Sequence, residues 1–381
     1  MSAPSILFLV TEDWYFCSHR LPMARAALQA GYRVMVATRV NRHASCIEGE
    51  GFELLPIGMK RRGGGLLGEV RSIIELVGLY RRHRPDLVHH VAMKPVVYGT
   101  LAARLAGVGA VVNALAGLGY LFTSSRTHAR LLKRLVQFCL SLLLRHPSVR
   151  IVVQNPDDRR MLSEATGIAE EEMIIIPGSG VDTTRFSCRA EPPEGELLIS
   201  MVSRMLKDKG VFELVEAVRR LRQRKPHGWR LVLAGTPDHE NPSSIPEETL
   251  RNWGREGLLE WLGEVKDVPG LLQKTSIAVL PSHREGLPMS LLEAASACCC
   301  LVATDVPGCR EVVQHEKTGL LTPLGDATAL AGALERLLEN RRERILFGKT
   351  ARERVMGLYS KEVVVERLLA LYRERLSRVV S

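Results

Sequence analysis

The sequence predicts an α/β protein made of two doubly wound parallel-sheet domains in tandem, and three observations carry that expectation. Short β-branched runs alternate with helical periodicities along the whole chain, a polar Pro- and Glu-containing stretch interrupts the alternation once, and the same pattern then restarts. The third is length: 381 residues exceed the ~100–200 residues of an ordinary domain.

In the first half the expected strands are ILFLV (6–10), RVMVA (33–37), ELLPI (53–57), DLVHH (86–90), AVVN (110–113) and RIVVQ (150–154). Between them, helical spacing covers about 21–30, 66–82, 96–105 and 127–144. The stretch RAEPPEGE (189–196) breaks both periodicities and reads as the linker. Strands LLISMVSR (197–204), RLVLAG (230–235), LEWLGEV (259–265), SIAVLPS (276–282), LVATDV (301–306) and GLLTP (319–323) follow. Helices are expected over 211–222, 247–256 and 287–297 and at the end of the chain. The expected division is 1–189 for the first domain, 190–360 for the second and 361–381 for a C-terminal helix packing back on the first. Both domains read as Rossmann-like. In such domains ligands bind outside the carboxyl ends of the strands, which predicts a site in a cleft where the two domains face each other.

Composition excludes several classes. A hydrophobic fraction of 46% and a charged fraction of 25% suit a folded soluble chain rather than a disordered or collagen-like one. No apolar run reaches the ~20 residues of a membrane span. The opening residues lack a basic segment and meet Glu12 and Asp13 early, which argues against a secretory leader and for the cytosol. Eight cysteines without a CxxC pair read as small buried hydrophobes in a reducing compartment, not as disulfides or zinc ligands. Charge is uneven: residues 1–189 carry 24 Lys plus Arg against 15 Asp plus Glu, whereas the remainder is nearly balanced. A basic first half attracts phosphate, on nucleic acid, anionic lipid or a diphosphate substrate; a solvated Arg-rich face is the alternative.

The chemistry-bearing constellation follows SIAVLPS. There Glu285 precedes Gly286 and Leu287 at a strand end, and Glu293 lies two turns into the next helix. A carboxylate accepts hydrogen bonds from sugar hydroxyls, a glycine lets backbone amides approach a ligand, and a helix N-terminus favours anions. In MVSRMLKDKG, Arg204 and Lys209 stand at a strand-to-helix turn, where two cations neutralise a departing diphosphate.

With Glu285 and Glu293 in E-x7-E spacing inside LPSHREGLPMSLLEA, the chain resembles the retaining GT-B glycosyltransferases of family 4. The likeness covers nearly the whole chain and is most specific from Met201 to Pro323. It implies that Glu285 and the backbone of Gly286 and Leu287 hold the donor sugar, and that Glu293 holds the ribose. It further implies that Arg204 and Lys209 bind the diphosphate and that the loop at Val265 and Lys266 meets the base. DVPGCREVV and EKTGLLTP resemble the family's closing segments, with Glu311 as a brace. Met93-Lys94-Pro95 and Gly117-Leu118-Gly119-Tyr120 resemble the branch that extends undecaprenyl-diphosphate-linked saccharides.

Expected acceptor residues are therefore His19, His90, Lys94, Gly117 and Gly119, with a structural role for either His89 or His90 and a packing role for Gly117 left open. Many relatives carry a histidine where Ala116 stands, so this chain departs from that pattern. Arg130, Lys133, Arg134, Gln137, Ser141 and Arg145 form a polar stripe on an otherwise apolar helix, suiting a membrane surface or a core helix with a basic edge. Arg61, Arg62 and Leu66-Leu67 offer a second such contact.

The resulting expectation is a transferase moving a sugar, with retention, from a UDP-sugar to a polyprenyl-diphosphate-linked saccharide. It would work as a peripheral protein at the inner face of the cytoplasmic membrane, with no metal, no other cofactor and no nucleic-acid partner. A GT-B sugar-nucleotide 2-epimerase and a basic nucleic-acid-binding protein are the alternatives; the chain has no nucleic-acid recognition motif to favour the latter.

Overall fold

Strand and helix alternate through the computed structural model, which describes residues 3–60, 65–115, 137, 140–188 and 195–380. The chain divides into two compact units, Met1–Ser179 with Glu362–Ser381, and Gly180–Lys361. The break at Ser179 precedes the polar stretch expected as the linker.

The first unit holds seven strands: β1 (Ser5–Glu12), β2 (Arg33–Arg39), β3 (Glu53–Pro56), β4 (Leu87–Val91), β5 (Ala110–Ala114), β6 (Val149–Val153) and β7 (Met173–Ile175). All pair in parallel, in the order β3-β2-β1-β4-β5-β6-β7. Ile6 to Val10 are buried on both faces of β1, as a strand covered by helices on either side must be. One face packs Phe8, Phe16 and Val36, the other Leu7, Leu9 and Met35. The C-terminal helix Lys361–Val380 seals the first of these faces with Val364, Leu368, Leu371 and Tyr372.

The second unit holds β8 (Leu197–Val202), β9 (Trp229–Ala234), β10 (Glu260–Gly263), β11 (Ile277–Leu280), β12 (Cys300–Thr304) and β13 (Gly319–Thr322). They are parallel, in the order β10-β9-β8-β11-β12-β13. In both sheets the order reverses once, between β1 and β4 and between β8 and β11. Neighbouring loops there leave the sheet in opposite directions and open a crevice at the strands' carboxyl ends.

Two expectations need correction. Cys188 and Cys298 are joined by a disulfide bridging 110 residues of sequence, although no Cys spacing announced a pair. Folding brings them together: Ser296 Oγ donates to the Phe186 carbonyl at 2.7 Å, which lays the 186–188 segment along the end of the helix Met289–Ser296. Of the remaining cysteines Cys299, Cys300 and Cys309 are buried, but Cys46 is exposed.

The second correction is His90. It is fully buried in β4, with Nδ1 2.8 Å from Asn113 Oδ1 and Nε2 3.0 Å from the Tyr80 hydroxyl. Burial lowers its pKa to about 4, against the pull of the Asn113 bond, so the ring is neutral. Both ring nitrogens are spent inside the core, and His90 is a structural histidine rather than an acceptor ligand. The ring fits only because residue 99, on the helix Met93–Ala106, is glycine: a Cβ there would stand 2.6 Å from His90 Nε2 and 2.8 Å from Leu9 Cδ2. Gly99→Ala is expected to cost about 1–3 kcal/mol through overpacking, read as a lowered midpoint in urea unfolding; an unchanged midpoint would show that the core gives way freely.

Candidate active site

The crevice of the second unit collects the residues that sequence chemistry singled out. β8 runs through Ser203 and Arg204 into a 3-10 turn, Lys207–Lys209, and then through Gly210 into the helix Val211–Arg224. β11 runs through residues 281–288 into the helix Met289–Ser296. Because β8 and β11 are paired neighbours, with Ile277 opposite Ile199, the two loops emerge side by side.

Three contacts bind them. Gly210 has a φ of +72°, and a Cβ there would lie 1.9 Å from the Pro281 carbonyl oxygen. Next, the His283 amide donates to the Asp208 carbonyl at 2.9 Å. Finally, Lys209 Nζ pairs with Glu285 Oε1, the two side chains being only 20% and 11% exposed. An ion pair this shielded is weakly screened by salt, and removing one partner leaves the other uncompensated.

Beneath Glu285 the segment after β12 acts as a prop. Thr304 Oγ1 donates to the Ser282 carbonyl. Gly308, at φ +80°, packs so closely that a Cβ would lie 2.6 Å from the Glu285 carbonyl oxygen. Cys309 is buried next to it; burial pushes its thiol pKa up, with the nearby Glu285 charge adding to the effect, so the thiol is inert. The Glu311 carbonyl accepts from Tyr359 at 2.8 Å and from Arg354 at 3.0 Å, which fits the bracing role read for that segment.

Arg204 lies half exposed and pairs with Asp238 Oδ2 at 2.6 Å. Asp238 escaped the sequence reading, although a carboxylate just past RLVLAG stands at a strand's carboxyl end and was legible there. Glu293 is half-buried; desolvation pushes its pKa up to about 7 against the attraction of Arg185. Leu287 turns its side chain into the core, leaving only its backbone for a ligand. Val265 and Lys266 follow β10, two strands from β8, with Lys266 exposed. No group of three or more His, Cys, Asp or Glu side chains suited to a metal ion occurs among the described residues.

The first unit presents a different picture. His19 ends the helix Asp13–His19, half-buried, with its ring centroid 4.6 Å from that of Tyr15. Lys94 is neutralised: its ammonium pairs with Glu69 at 2.7 Å and donates to the Lys60 carbonyl at 2.8 Å. With Gly58, Ser72 and Glu75 these residues line a cavity of about 420 Å³. Gly117, Gly119, Ala116, Tyr120, Arg61, Arg62 and, of the polar stripe, Arg130, Lys133 and Arg134 lie outside the described residues.

Two features here were not anticipated. The buried Asp13 carboxylate accepts backbone N–H groups from Trp14, Asn41, Arg42 and His43 at 2.6–3.0 Å. Burial works against its ionisation, but those donors win and hold its pKa below the usual range. It ties the loop after β1 to the loop after β2. Ala92, at the carboxyl end of β4, has a φ of +76°, a costly conformation for a residue with a Cβ at the very point where the sheet order reverses.

Comparison with known proteins adds the family. The family model for group 1 glycosyl transferases matches residues 182–354, and that for glycosyl transferase 4-like domains matches residues 5–147. A Campylobacter jejuni N,N'-diacetylbacillosaminyl-diphospho-undecaprenol alpha-1,3-N-acetylgalactosaminyltransferase is 25% identical over 93% of this chain and 94% of its own. An Escherichia coli UDP-Gal:alpha-D-GlcNAc-diphosphoundecaprenol alpha-1,3-galactosyltransferase is 24% identical over 82% of this chain and 81% of its own. Among solved structures, Anabaena HepE in complex with UDP superposes with a TM-score of 0.79 at 17% identity, covering 97% of this chain and all of that one. Sucrose-phosphate synthase from Thermosynechococcus elongatus does so at 0.80 and 18%, covering 98% of this chain and all of its own. Those likenesses establish the fold as GT-B, two Rossmann-like domains. Matched in both of its halves, the chain belongs to the group 1, family 4-like glycosyltransferases and is a glycosyltransferase.

Proposed function

We propose that this enzyme transfers a sugar from a UDP-sugar, with retention of configuration, to a polyprenyl-diphosphate-linked saccharide in surface-polysaccharide or glycan assembly. The observation that carries the donor half is the Lys209–Glu285 pair at the reversal point of the second sheet, with Arg204 beside it. The acceptor half is supported by relatives from two organisms, both named for undecaprenyl-diphosphate-linked acceptors. The second of them is also named for a UDP-sugar donor and an alpha-linked product.

In this reading the nucleotide lies along the carboxyl edge of β10, β9 and β8, a span of about two strand spacings, ~10 Å. The base meets Val265 and Lys266, the ribose meets Glu293, and the diphosphate meets Arg204 and Lys209. Lys209 exchanges Glu285 for a phosphate oxygen, and Arg204 exchanges Asp238. Glu285 is then free to accept hydrogen bonds from the donor sugar. The bond from the anomeric carbon to the phosphate oxygen breaks as the acceptor hydroxyl oxygen bonds that carbon on the same face, and the hydroxyl proton passes to the leaving phosphate oxygen. The two cations stabilise the charge that grows there. They perform the task a divalent metal performs elsewhere, so the reaction needs none. His19 and Lys94 stand at the carboxyl ends of the first sheet as acceptor contacts, and the work takes place at the inner face of the cytoplasmic membrane with the enzyme bound peripherally.

Three outcomes are expected. Glu285→Gln and Lys209→Ala each lower kcat by roughly 10²–10³ while far-UV circular dichroism stays unchanged; near-normal turnover in both removes the site assignment. Transfer persists in excess EDTA, and its loss, restored by a divalent cation, would contradict the metal-free reading. The third concerns Glu293, whose raised pKa leaves it largely protonated below about 7 and ionised above. Only the carboxylate accepts from both ribose hydroxyls, so UDP affinity rises by up to about tenfold from pH 6 to 8. Glu293→Gln removes this rise; calorimetric titration of both proteins gives the difference, and parallel pH profiles would exclude the role.

A further inference from the structure

Two free thiols meet in the first unit. Cys17 lies on the helix Asp13–His19 and Cys46 on the helix Ala44–Glu48, and the two helices pack against each other. The buried Asp13 sets one end of that contact: it accepts the His43 amide at 3.0 Å, and the Nδ1 of the same histidine stands 3.6 Å from its other oxygen. Cys17 is four residues past Asp13, one turn along the same helix face, and Cys46 is three past His43. The two thiols accordingly stand in hydrogen-bond contact with each other. Phe16 and Ile47, their chain neighbours, are both buried in the core beneath, which fixes the two helices from below. One turn beyond Cys46, Glu50 pairs with Arg25 of the helix Leu21–Gln29 and closes the cluster. Cys46 is exposed and Cys17 half-buried. The other described cysteines are out of reach of solvent chemistry: Cys188 and Cys298 are bonded to each other, and Cys299, Cys300 and Cys309 are buried.

We propose that Cys17 and Cys46 form a dithiol modification site, which takes a small disulfide-bearing molecule and closes to an intramolecular disulfide. Thiol–disulfide exchange starts from an accessible thiolate, and Cys46 is the thiol that solvent reaches. Its sulfur, having lost its proton, bonds one sulfur of the incoming disulfide. The S–S bond of that molecule breaks, and its other half leaves as a thiolate that takes up a proton. Cys46 is then held as a mixed disulfide. Cys17 next bonds the Cys46 sulfur, the mixed bond breaks, and the second half leaves and is protonated in turn. The two cysteines lose two electrons and two protons, and the incoming disulfide is reduced to two thiols. Burial, joined by the neighbouring Cys46, pushes the Cys17 thiol up to about 12, so the first attack falls to Cys46 and the resolving step to Cys17. A metal is a poorer occupant, since no third ligand of the usual kinds joins the pair among the described residues. The bond links the helix that ends in His19 to the segment after β2, which Asp13 already ties together, and its formation is independent of sugar transfer.

The test treats the folded full chain with dithiodipyridine, whose thiopyridone product absorbs light when released. Peptide mass mapping without reduction then reads each cysteine separately. The wild-type chain is expected to give a peptide linking Cys17 to Cys46, with no pyridyl group left on either and two thiopyridones released for each link. Cys17→Ala should stop at a pyridyl adduct on Cys46, with one released. Cys46→Ser should leave Cys17 reacting about tenfold or more slowly than Cys46 does in the wild type. Far-UV circular dichroism reports whether the variants fold, and the wild-type map decides alone if one does not. A wild-type chain that keeps the pyridyl group on Cys46 overturns the inference. So does a link from Cys46 to any other cysteine, in the same or a second chain, or a Cys46 that fails to react until the protein is unfolded in urea.

Discussion

Where the chain leaves β8, the Pro281 carbonyl occupies the space that a side chain at residue 210 would need. Glycine at that position, in the left-handed region, is what allows the loops after β8 and β11 to touch. From that contact follow the Asp208–His283 backbone bond and the meeting of Lys209 with Glu285. The helix Val211–Arg224 can then begin directly behind the cation. A second glycine, Gly308, repeats the device one strand further along by pressing the segment after β12 against the Glu285 backbone. The geometry of the site is set by backbone meeting backbone, which side-chain rotamer changes do not easily loosen.

Electrostatics complete the picture. The cations that sequence chemistry singled out are not free charges awaiting phosphate: Lys209 has Glu285, Arg204 has Asp238 and Lys94 has Glu69. In the proposed reading a ligand displaces a carboxylate from each. Where the pair is exposed, as for Arg204, the exchange costs little. At the shielded Lys209–Glu285 pair, displacing one partner without re-pairing the other is expensive. A nucleotide-sugar satisfies both at once, with phosphate for the lysine and sugar hydroxyls for the glutamate. An isolated phosphate satisfies only the first. In the proposed reading, pairing thereby favours the intact donor over its fragments.

Much of the fold was legible because a doubly wound sheet writes itself as apolar runs between helical periods. The edges were less so. β7 is three residues long and its run, Met173–Ile175, is too short to carry a period; the helices Asp13–His19 and Ala44–Glu48 are too short to show an apolar face. In the second unit the placement of Glu285, Lys209 and Arg204 beside the strand ends was readable, because residue type, strand end and following helix all agreed. In the first unit the same rule misled for His90, since a strand end does not tell whether a side chain faces the crevice or the sheet's covered side, where Tyr80 and Asn113 hold it. Long-range geometry, such as the Cys188–Cys298 contact or the Asp13 cradle, leaves no local trace in sequence at all.

The exchange of Lys209 from Glu285 to phosphate is the central claim, and a double-mutant cycle on UDP binding tests it most directly. Calorimetric titration of UDP into wild type, Lys209→Ala, Glu285→Ala and the double variant separates the two roles. The account predicts that Lys209→Ala weakens UDP about tenfold or more. It also predicts that Glu285→Ala leaves UDP binding equal or tighter, because a competing carboxylate has gone, and that the double variant matches Lys209→Ala. Undiminished UDP affinity in Lys209→Ala, or a loss in Glu285→Ala as large as that in Lys209→Ala, would contradict it.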